Sequence, residues 1–306
     1  MILLWGLTGD GPFEAVHAAV IRRGAEFTLL DQRSVRETTV NLVDDGKVVR
    51  GTVEVAGDVI QLHDVHATYW RTYEVARVPA VAATAATEPQ VLGDAWSIED
   101  SLVTWMELTD ARVVNRPSAM ASNGSKPLQQ ELLRSHGFAV PKTLITTDPD
   151  AARRFWTDNG AVIYKSVSAT RSIVARLTES HLERLEHVTS CPTQFQQLVP
   201  GRDHRVHVVG DDVFATEVFS DADDYRYGAL AGQPAELRNA RLPDEVAERC
   251  IEVTRALGLH FSGIDLRRAP DGRWFAFEVN PSPGFTYYEA NTGQPIADAV
   301  ANLLGG

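Results

Sequence analysis

A chain of 306 residues, 44% hydrophobic and 23% charged, is long enough for one large domain or several smaller ones packed together around ample cores. Its 29 basic and 41 acidic residues leave a formal net charge of −12, which repels polyphosphate backbones and anionic bilayers and argues against nucleic-acid and membrane partners. No apolar run approaches the ~20 residues of a membrane span, the apolar start MILLWGL is too short for a signal segment, and Cys191 and Cys250 follow no metal-ligand spacing; a cytoplasmic protein with free, buried thiols is expected.

Residues 2–5 predict a buried strand, followed by a glycine-rich turn (Gly6, Gly9, Gly11), a helix near 12–23 and a strand at 26–30, which together make a β-α-β opening. The glycine spacing does not match the dinucleotide fingerprint, so the turn reads first as scaffold. Residues 38–62 alternate around Asp44-Asp45-Gly46 and predict a hairpin. ATYWRTY (67–73) predicts a strand, 78–89 a loop or irregular helix, and 93–110 a helix with apolar Leu102, Trp105, Met106 and Leu108. A strand at 113–115 leads into turn-rich RPSAMASNGSKP, where a domain boundary is expected after residue 115. Beyond it the pattern gives a helix at 126–136, extended FAVPKTLITTD, a helix at 148–159, strands at 161–167 and 172–177 and a helix at 178–187. Strands at 193–199, 204–209 and 212–219, a helix at 243–257, a hairpin and a helix near 294–304 complete the chain.

The hairpin carries the chemistry. FSGIDLRRAPDGRWFAFEVN turns at Pro270-Asp271-Gly272. If Arg268 sits opposite Arg273, Asp265 faces Ala276 and Gly263 faces Glu278, so Asp265, Glu278 and Asn280 project from one side. Ile264, Leu266, Phe275, Phe277 and Val279 then make a core face. Two carboxylates and an amide oxygen within ~8 Å are either an ordinary solvated strand face or a hard, all-oxygen site for Mg²⁺ shared with phosphate. Gly263 favours close approach of a ligand or another backbone. Pro281-Ser282-Pro283-Gly284 ends the ladder and is expected to leave the Ser282 and Gly284 N–H groups for a substrate. Lysine is scarce: Lys47, Lys126, Lys142 and Lys165 stand against 25 arginines.

GIDLRR followed by FEVNPSPGF resembles the signature of the ATP-grasp superfamily, particularly its RimK-like carboxylate–amine ligases, to which graspetide (microviridin-type) peptide ligases are related. The resemblance runs over most of 113–304 and is specific in the last 45 residues. It implies an α/β (α+β) ATP-grasp fold: an N-terminal α/β domain (1–115), a central subdomain (116–200) and a C-terminal antiparallel-sheet subdomain (201–306), with nucleotide between the last two. It implies ATP and Mg²⁺ as cofactors, two ions in the family pattern and Mn²⁺ as an alternative, held by Asp265, Glu278 and Asn280. On the matching motifs, Lys126 lies before a helix against the ATP phosphates, and Lys165 in VIYKSV also meets phosphate. FQQLVPGRDHRVHVVG resembles the adenine hinge: Gln197, Leu198 and Val199 meet adenine through backbone groups, Asp203 the ribose and Arg205 the phosphates. Lys165 and Arg205 are the expected catalytic cations. His207, on the same strand face as Arg205, reads as a plain polar strand residue.

Two departures stand out. The loop SVSATRS after Lys165 lacks the family's glycines; Ser168, Thr170, Ser172 and Arg171 offer donors and charge instead. Gln197 stands where many relatives have an acidic residue. For the substrate side, Arg71 in Tyr69-Trp70-Arg71 suits a carboxylate as well as it suits stacking in the scaffold, and Arg171, Ser282 and Tyr287 are further candidates; Tyr288 reads equally as packing. The acidic run Asp221–Asp224 with Tyr225 and Arg226 reads as a surface loop. The family chemistry implies activation of a carboxylate as an acyl phosphate and its transfer to an amine, on an amino acid or peptide. A graspetide-type macrocyclase acting on a precursor peptide, a non-catalytic nucleotide-binding module and a kinase are the alternatives, and a homo-oligomer stays open.

Overall fold

The computed structural model describes residues 1–46, 48–167, 174–220 and 235–306. β1 (Ile2–Gly6), α1 (Gly11–Arg22) and β2 (Phe27–Asp31) form the expected β-α-β opening. Asp10 caps α1 by accepting from the Phe13 N–H, and Phe13, Val16, Ala19 and Val20 give the helix one buried stripe. β3 (Thr38–Asp44), β4 (Val49–Val55) and β5 (Asp58–Gln61) make a separate antiparallel meander, one strand more than the expected hairpin. β6 (Ala67–Arg71) returns to the first sheet. Helices α2 (Pro79–Ala85) and α3 (Gln90–Leu108) follow, and β7 (Arg112–Val114) completes a parallel sheet of order β2-β1-β6-β7.

After α4 (Pro117–Met120) and α5 (Lys126–Ser135) comes a central antiparallel sheet. It contains β8 (Thr143–Thr146), β9 (Val162–Ser166), β10 (Ala175–Arg176) and β11 (Thr193–Gln197) in the order β10-β9-β11-β8, with α6 (Pro149–Asn159) between β8 and β9. The helix expected over 178–187 is only one turn, α7 (Glu179–Leu182), followed by a 3₁₀ segment at Leu185–Ser190. The third sheet is antiparallel, of order β14-β13-β12-β15-β16. Its strands are β12 (Arg202–Val209), β13 (Asp212–Phe219), β14 (Glu236–Ala240), β15 (Phe261–Arg268) and β16 (Trp274–Asn280), with α8 (Asp244–Ala256) packed behind. α9 (Thr286–Thr292) and α10 (Ile296–Gly305) end the chain.

The core joins the two ends of the sequence. Ile296, Val300 and Leu304 of α10 share one buried cluster with Phe13 and Val16 of α1, Ile2 and Leu4 of β1, and Val209, Phe261 and Phe285. The N-terminal sheet is thereby seated against the sheet that carries the acidic hairpin. A second cluster, with Val206, Ile264, Leu266, Ala276, Val279 and α8's Val246, Cys250 and Val253, fills the other face of that sheet. Cys250 is buried, which pushes its thiol up to about 12, whereas Cys191 is exposed because it sits at the start of the turn before β11; the expectation of two buried thiols holds for Cys250 alone. Among the described residues, no helix is long and apolar enough to cross a membrane.

Candidate active site

β15 and β16 place Asp265 directly opposite Glu278, and Gly263 opposite Asn280. The shared face expected for the three oxygen-bearing side chains is present, but the register is not the expected one. A β-bulge between Asp265 and Leu266 sets Leu266 against Ala276 and leaves Phe277 as the extra residue. Ala276 therefore takes the core position beside Ile264, Leu266 and Val279. Phe275 and Phe277 leave that core and join Val199, Ala269 and Ala139 in a small apolar cluster. The Arg267 guanidinium lies 5.4 Å from the Phe277 ring centroid.

Cations flank the carboxylates. Arg205, on the neighbouring strand β12, is paired across from Asp265, and its Nη1 donates to Asp265 Oδ1 at 2.6 Å. Lys126 Nζ lies 3.9 Å from Glu278 Oε2. One turn along α5, the buried Gln129 side chain donates to the Val279 carbonyl and accepts from the Val279 N–H, at 2.8 and 3.1 Å. This amide pairs with the open edge of β16 as a strand would, and it fixes the N-terminus of α5, with Lys126, against the acidic face. Nothing in the periodicity of either segment announces that contact.

His207 lies behind Arg205. It is fully buried, its Nε2 is 3.5 Å from Arg205 Nε and 3.4 Å from the Gly284 carbonyl, and its ring meets Tyr288 edge-on at 5.1 Å. Burial first, and then the Arg205 charge, holds its pKa well below the ordinary value, so it stays neutral. The strand-residue reading of His207 fits. Gly263 leaves the space that the Arg205 guanidinium fills: a Cβ there would fall 2.2 Å from Arg205 Nη2 and 2.6 Å from Pro283 Cβ. The close approach expected at this glycine is made by a side chain of the site. Gly263→Ala should displace Arg205 from Asp265, lowering turnover about 10²-fold through misplacement while costing about 1–3 kcal/mol of stability through overpacking. Steady-state kinetics beside urea unfolding checks this, and a wild-type kcat shows that Arg205 need not occupy this rotamer.

The hinge expected at Gln197–Val199 joins β11 to β12. Its Gln197 and Leu198 N–H groups donate to the Lys142 and Ala161 carbonyls, each at 2.9 Å, so these two donors serve the central sheet. The Val199 carbonyl accepts from Arg267 Nη1 at 2.7 Å, and Asp203 takes Arg267 Nε and Nη2 on its two oxygens at 2.6 and 2.8 Å. Asp203, expected at the ribose, thus braces the hinge through a bidentate ion pair. Gly201 (φ +145°) is required between them, because a Cβ would meet the Arg268 carbonyl at 2.2 Å. Lys165 of β9 is paired across from Gln194, whose side chain is buried with its Oε1 unpartnered among the described residues. Neither Gln194 nor Gln129 carries a local signal in the sequence that marks it for this site.

On the expected substrate side, Arg71 Nε is bonded to Asp10 at 2.6 Å, and its Nη1 donates to Ser282 Oγ and to the Ser282 and Pro283 carbonyls at 2.8, 3.1 and 3.3 Å. The Ser282 N–H, expected to meet a substrate, instead donates to Asn280 Oδ1 at 2.9 Å. Tyr287 is half exposed on α9, next to buried Tyr288. Arg171, with Ser168, Thr170 and Ser172, and the run Asp221–Asp224 with Tyr225 and Arg226 lie outside the described residues.

The acidic face, its flanking cations and the hinge all fall within residues 123–304, which match the RimK-like ATP-grasp domain. The chain belongs to the RimK-like ATP-grasp family. It is 26% identical over 215 residues to a probable alpha-L-glutamate ligase of Teredinibacter turnerae, covering 67% of this chain and 70% of that one. It is 26% identical over 241 residues to beta-citrylglutamate synthase B of Danio rerio, covering 75% of this chain and 58% of that one. Among solved structures, the ATP-grasp ligase PsnB, complexed with a precursor variant, Mg and ADP, superposes with a TM-score of 0.82 at 28% identity over 99% of this chain and 97% of that one. The macrocyclase MdnC of Microcystis aeruginosa, bound to its precursor peptide, shares the fold over the full length of both chains, with a TM-score of 0.83 at 21% identity. The expected fold and the expected class, an ATP-grasp carboxylate–amine ligase, stand for this RimK-like protein.

Proposed function

We propose that this RimK-like protein uses ATP to activate a carboxylate as an acyl phosphate and joins it to an amine on an amino acid or a peptide. The observation that carries the site assignment is the direct opposition of Asp265 and Glu278, with Asn280 on the same face and Arg205 and Lys126 against the carboxylates. Two carboxylates and one amide oxygen are a donor set for a hard divalent ion that shares phosphate oxygens, and Asp265, Glu278 and Asn280 would hold Mg²⁺. When bound, that ion supplies charge neutralisation and Lewis acidity at the phosphates. The chain's own part is positioning and charge. Lys126, Lys165 and Arg205 hold the phosphates; the Gln197–Val199 hinge and the adjoining Phe277 cluster flank the base; Ser282 and Tyr287 border the acceptor. In the chemical step a substrate carboxylate oxygen attacks the γ-phosphorus and ADP leaves. The amine then attacks the acyl carbon, inorganic phosphate leaves, and the amine gives up a proton. No covalent enzyme nucleophile takes part.

The acceptor has two readings. A free amino acid follows the named activity of the glutamate-ligase relatives. A precursor peptide, cyclised through side-chain ester or amide links, is favoured by fold similarity: the precursor-bound ligase PsnB superposes over the N-terminal third as well as the ATP-grasp region, at a TM-score of 0.82. Incubation with Mg·ATP, candidate carboxylates and hydroxylamine should yield a hydroxamate with release of ADP and phosphate. A stable phosphorylated product would instead make the protein a kinase, and AMP with pyrophosphate would rule out both. Mass spectrometry of parallel reactions separates the acceptors, a peptide lighter by 18 mass units per link marking cyclisation.

A further inference from the structure

We propose that Arg71 is a positioning residue through which the N-terminal sheet orients Asn280, by way of the chain Asp10–Arg71–Ser282–Asn280; the proposal rests on Asn280 being a metal ligand. The anchor is Asp10, a buried carboxylate at the start of α1 whose Oδ2 takes Arg71 Nε at 2.6 Å and whose Oδ1 takes the Tyr73 hydroxyl at 2.8 Å. Arg71 stands at the C-terminal end of β6, and its Nη1 reaches 211 residues along the sequence to Ser282 Oγ and two carbonyls of the Pro281–Gly284 turn. Trp70, the residue before it, donates from its indole to the Asn115 carbonyl at 2.6 Å, and Asn115 Nδ2 donates to the Pro281 carbonyl at 2.6 Å. One strand end therefore grips the turn at Pro281, Ser282 and Pro283. The turn in turn grips the ligand, since the Ser282 N–H donates to Asn280 Oδ1 at 2.9 Å.

The consequence is chemical. A carboxamide presents either an oxygen or an NH₂ group, and only the oxygen attracts a cation. The Ser282 N–H tells the two apart: it bonds the oxygen, so rotation of the amide by half a turn would set N–H against N–H. One lone pair of Oδ1 is used in this way and the other remains for an ion. The peptide that makes the distinction is Pro281–Ser282, whose carbonyl Asn115 holds. Arg71 fixes its far side by gripping the Ser282 hydroxyl and carbonyl, and the prolines on either side of Ser282 leave it few alternatives. The same contacts engage Nε and Nη1 of the Arg71 guanidinium within the chain.

Mn²⁺ affinity measured by electron paramagnetic resonance with ADP present, together with calorimetric ADP binding in chelator, tests this without turnover. Arg71→Gln is expected to weaken Mn²⁺ about 10-fold, the loss usual when a group that orients a metal ligand is removed, with metal-free ADP binding unchanged. Ser282→Ala should act in the same direction, the double variant should be no worse than Arg71→Gln alone, and Arg71→Lys should recover part of the loss. If Arg71→Gln fails to fold, Ser282→Ala, which deletes one hydroxyl, carries the test. Asn280→Ala separates the two levels. Should it bind Mn²⁺ as wild type does, Asn280 is no ligand and the site reading fails with the relay. Should it weaken Mn²⁺ while Arg71→Gln and Ser282→Ala do not, the relay alone is wrong. A raised KM for the carboxylate substrate in Arg71→Gln, with metal affinity intact, makes Arg71 a substrate-binding residue and overturns the relay.

Discussion

Glu278→Gln should abolish most ligase turnover and leave the fold intact. The substitution keeps the shape of the side chain and removes one negative charge from the face where Asp265, Glu278 and Asn280 converge. Stabilisation of charge that develops on a transferring phosphoryl group is the largest service such a site renders, and removing one element of it costs about 10²–10³ in kcat. Stability should barely change. The Glu278 side chain is 25% exposed and its Lys126 neighbour is 3.9 Å away, a part-solvated pair of the kind worth about 0–1 kcal/mol. Asp265→Asn is a poorer probe. It would remove the negative charge opposite Arg205, whose side chain is only 7% exposed, and so mix a folding defect with a chemical one. Initial rates over a Mg²⁺ series, beside thermal melts, give the answer. A Glu278→Gln enzyme that keeps the wild-type rate at limiting Mg²⁺ would falsify the metal assignment.

The parts of the site that the sequence made legible share a cause: they depend on local period. Glu278 and Asn280 are two apart on a strand, and Asp265 lies on the strand that turns back beside them, so alternation alone puts the three on one face. What alternation could not give was the register. The bulge at Phe277 lets Ala276 fill the core, while Phe275 and Phe277 pack with Val199 and Ala269; that choice is made by tertiary packing, not by the FAFEV pattern itself. The contact of Gln129 with β16 crosses 150 residues and that of Arg71 with Ser282 crosses 211, distances at which no local rule operates. Two missed elements have weak local signals of their own. α9 is seven residues long with no side-chain N-cap, and β14 is a largely exposed edge strand, ELRNA, without apolar alternation. The Ser282 N–H is expected to meet a substrate because the prolines end the ladder, and the resemblance implies backbone contacts from Gln197 and Leu198 to adenine; the N–H groups of all three have partners in the folded chain, as nearly all buried backbone donors do.

Asn115→Ala should destabilise the protein more than any substitution on the acidic face. Asn115 is 3% exposed and uses its whole side chain: Nδ2 donates to the Phe261 and Pro281 carbonyls, both at 2.6 Å, and Oδ1 accepts from the His260 and Phe261 N–H groups at 2.7 and 3.1 Å. These four main-chain groups lie at the entry to β15 and at the exit from β16, beyond the Gly263–Asn280 pair where the ladder between those two strands ends. Alanine removes every partner at once. If only two of the four groups stay unsatisfied, at about 1–3 kcal/mol each, the loss is roughly 2–6 kcal/mol, a large share of the ~5–15 kcal/mol typical of a folded domain. Aspartate would not rescue it, because it restores the acceptors and brings a buried charge without donors. Urea unfolding followed by far-ultraviolet circular dichroism measures the difference, and a midpoint indistinguishable from wild type would mean that water or a shifted backbone serves these groups in place of Asn115. Because Asn115 holds the Pro281 carbonyl while Arg71 holds Ser282, Asn115→Ala should also loosen Asn280 when the protein is folded at low temperature, so that weakened Mn²⁺ binding accompanies the lost stability.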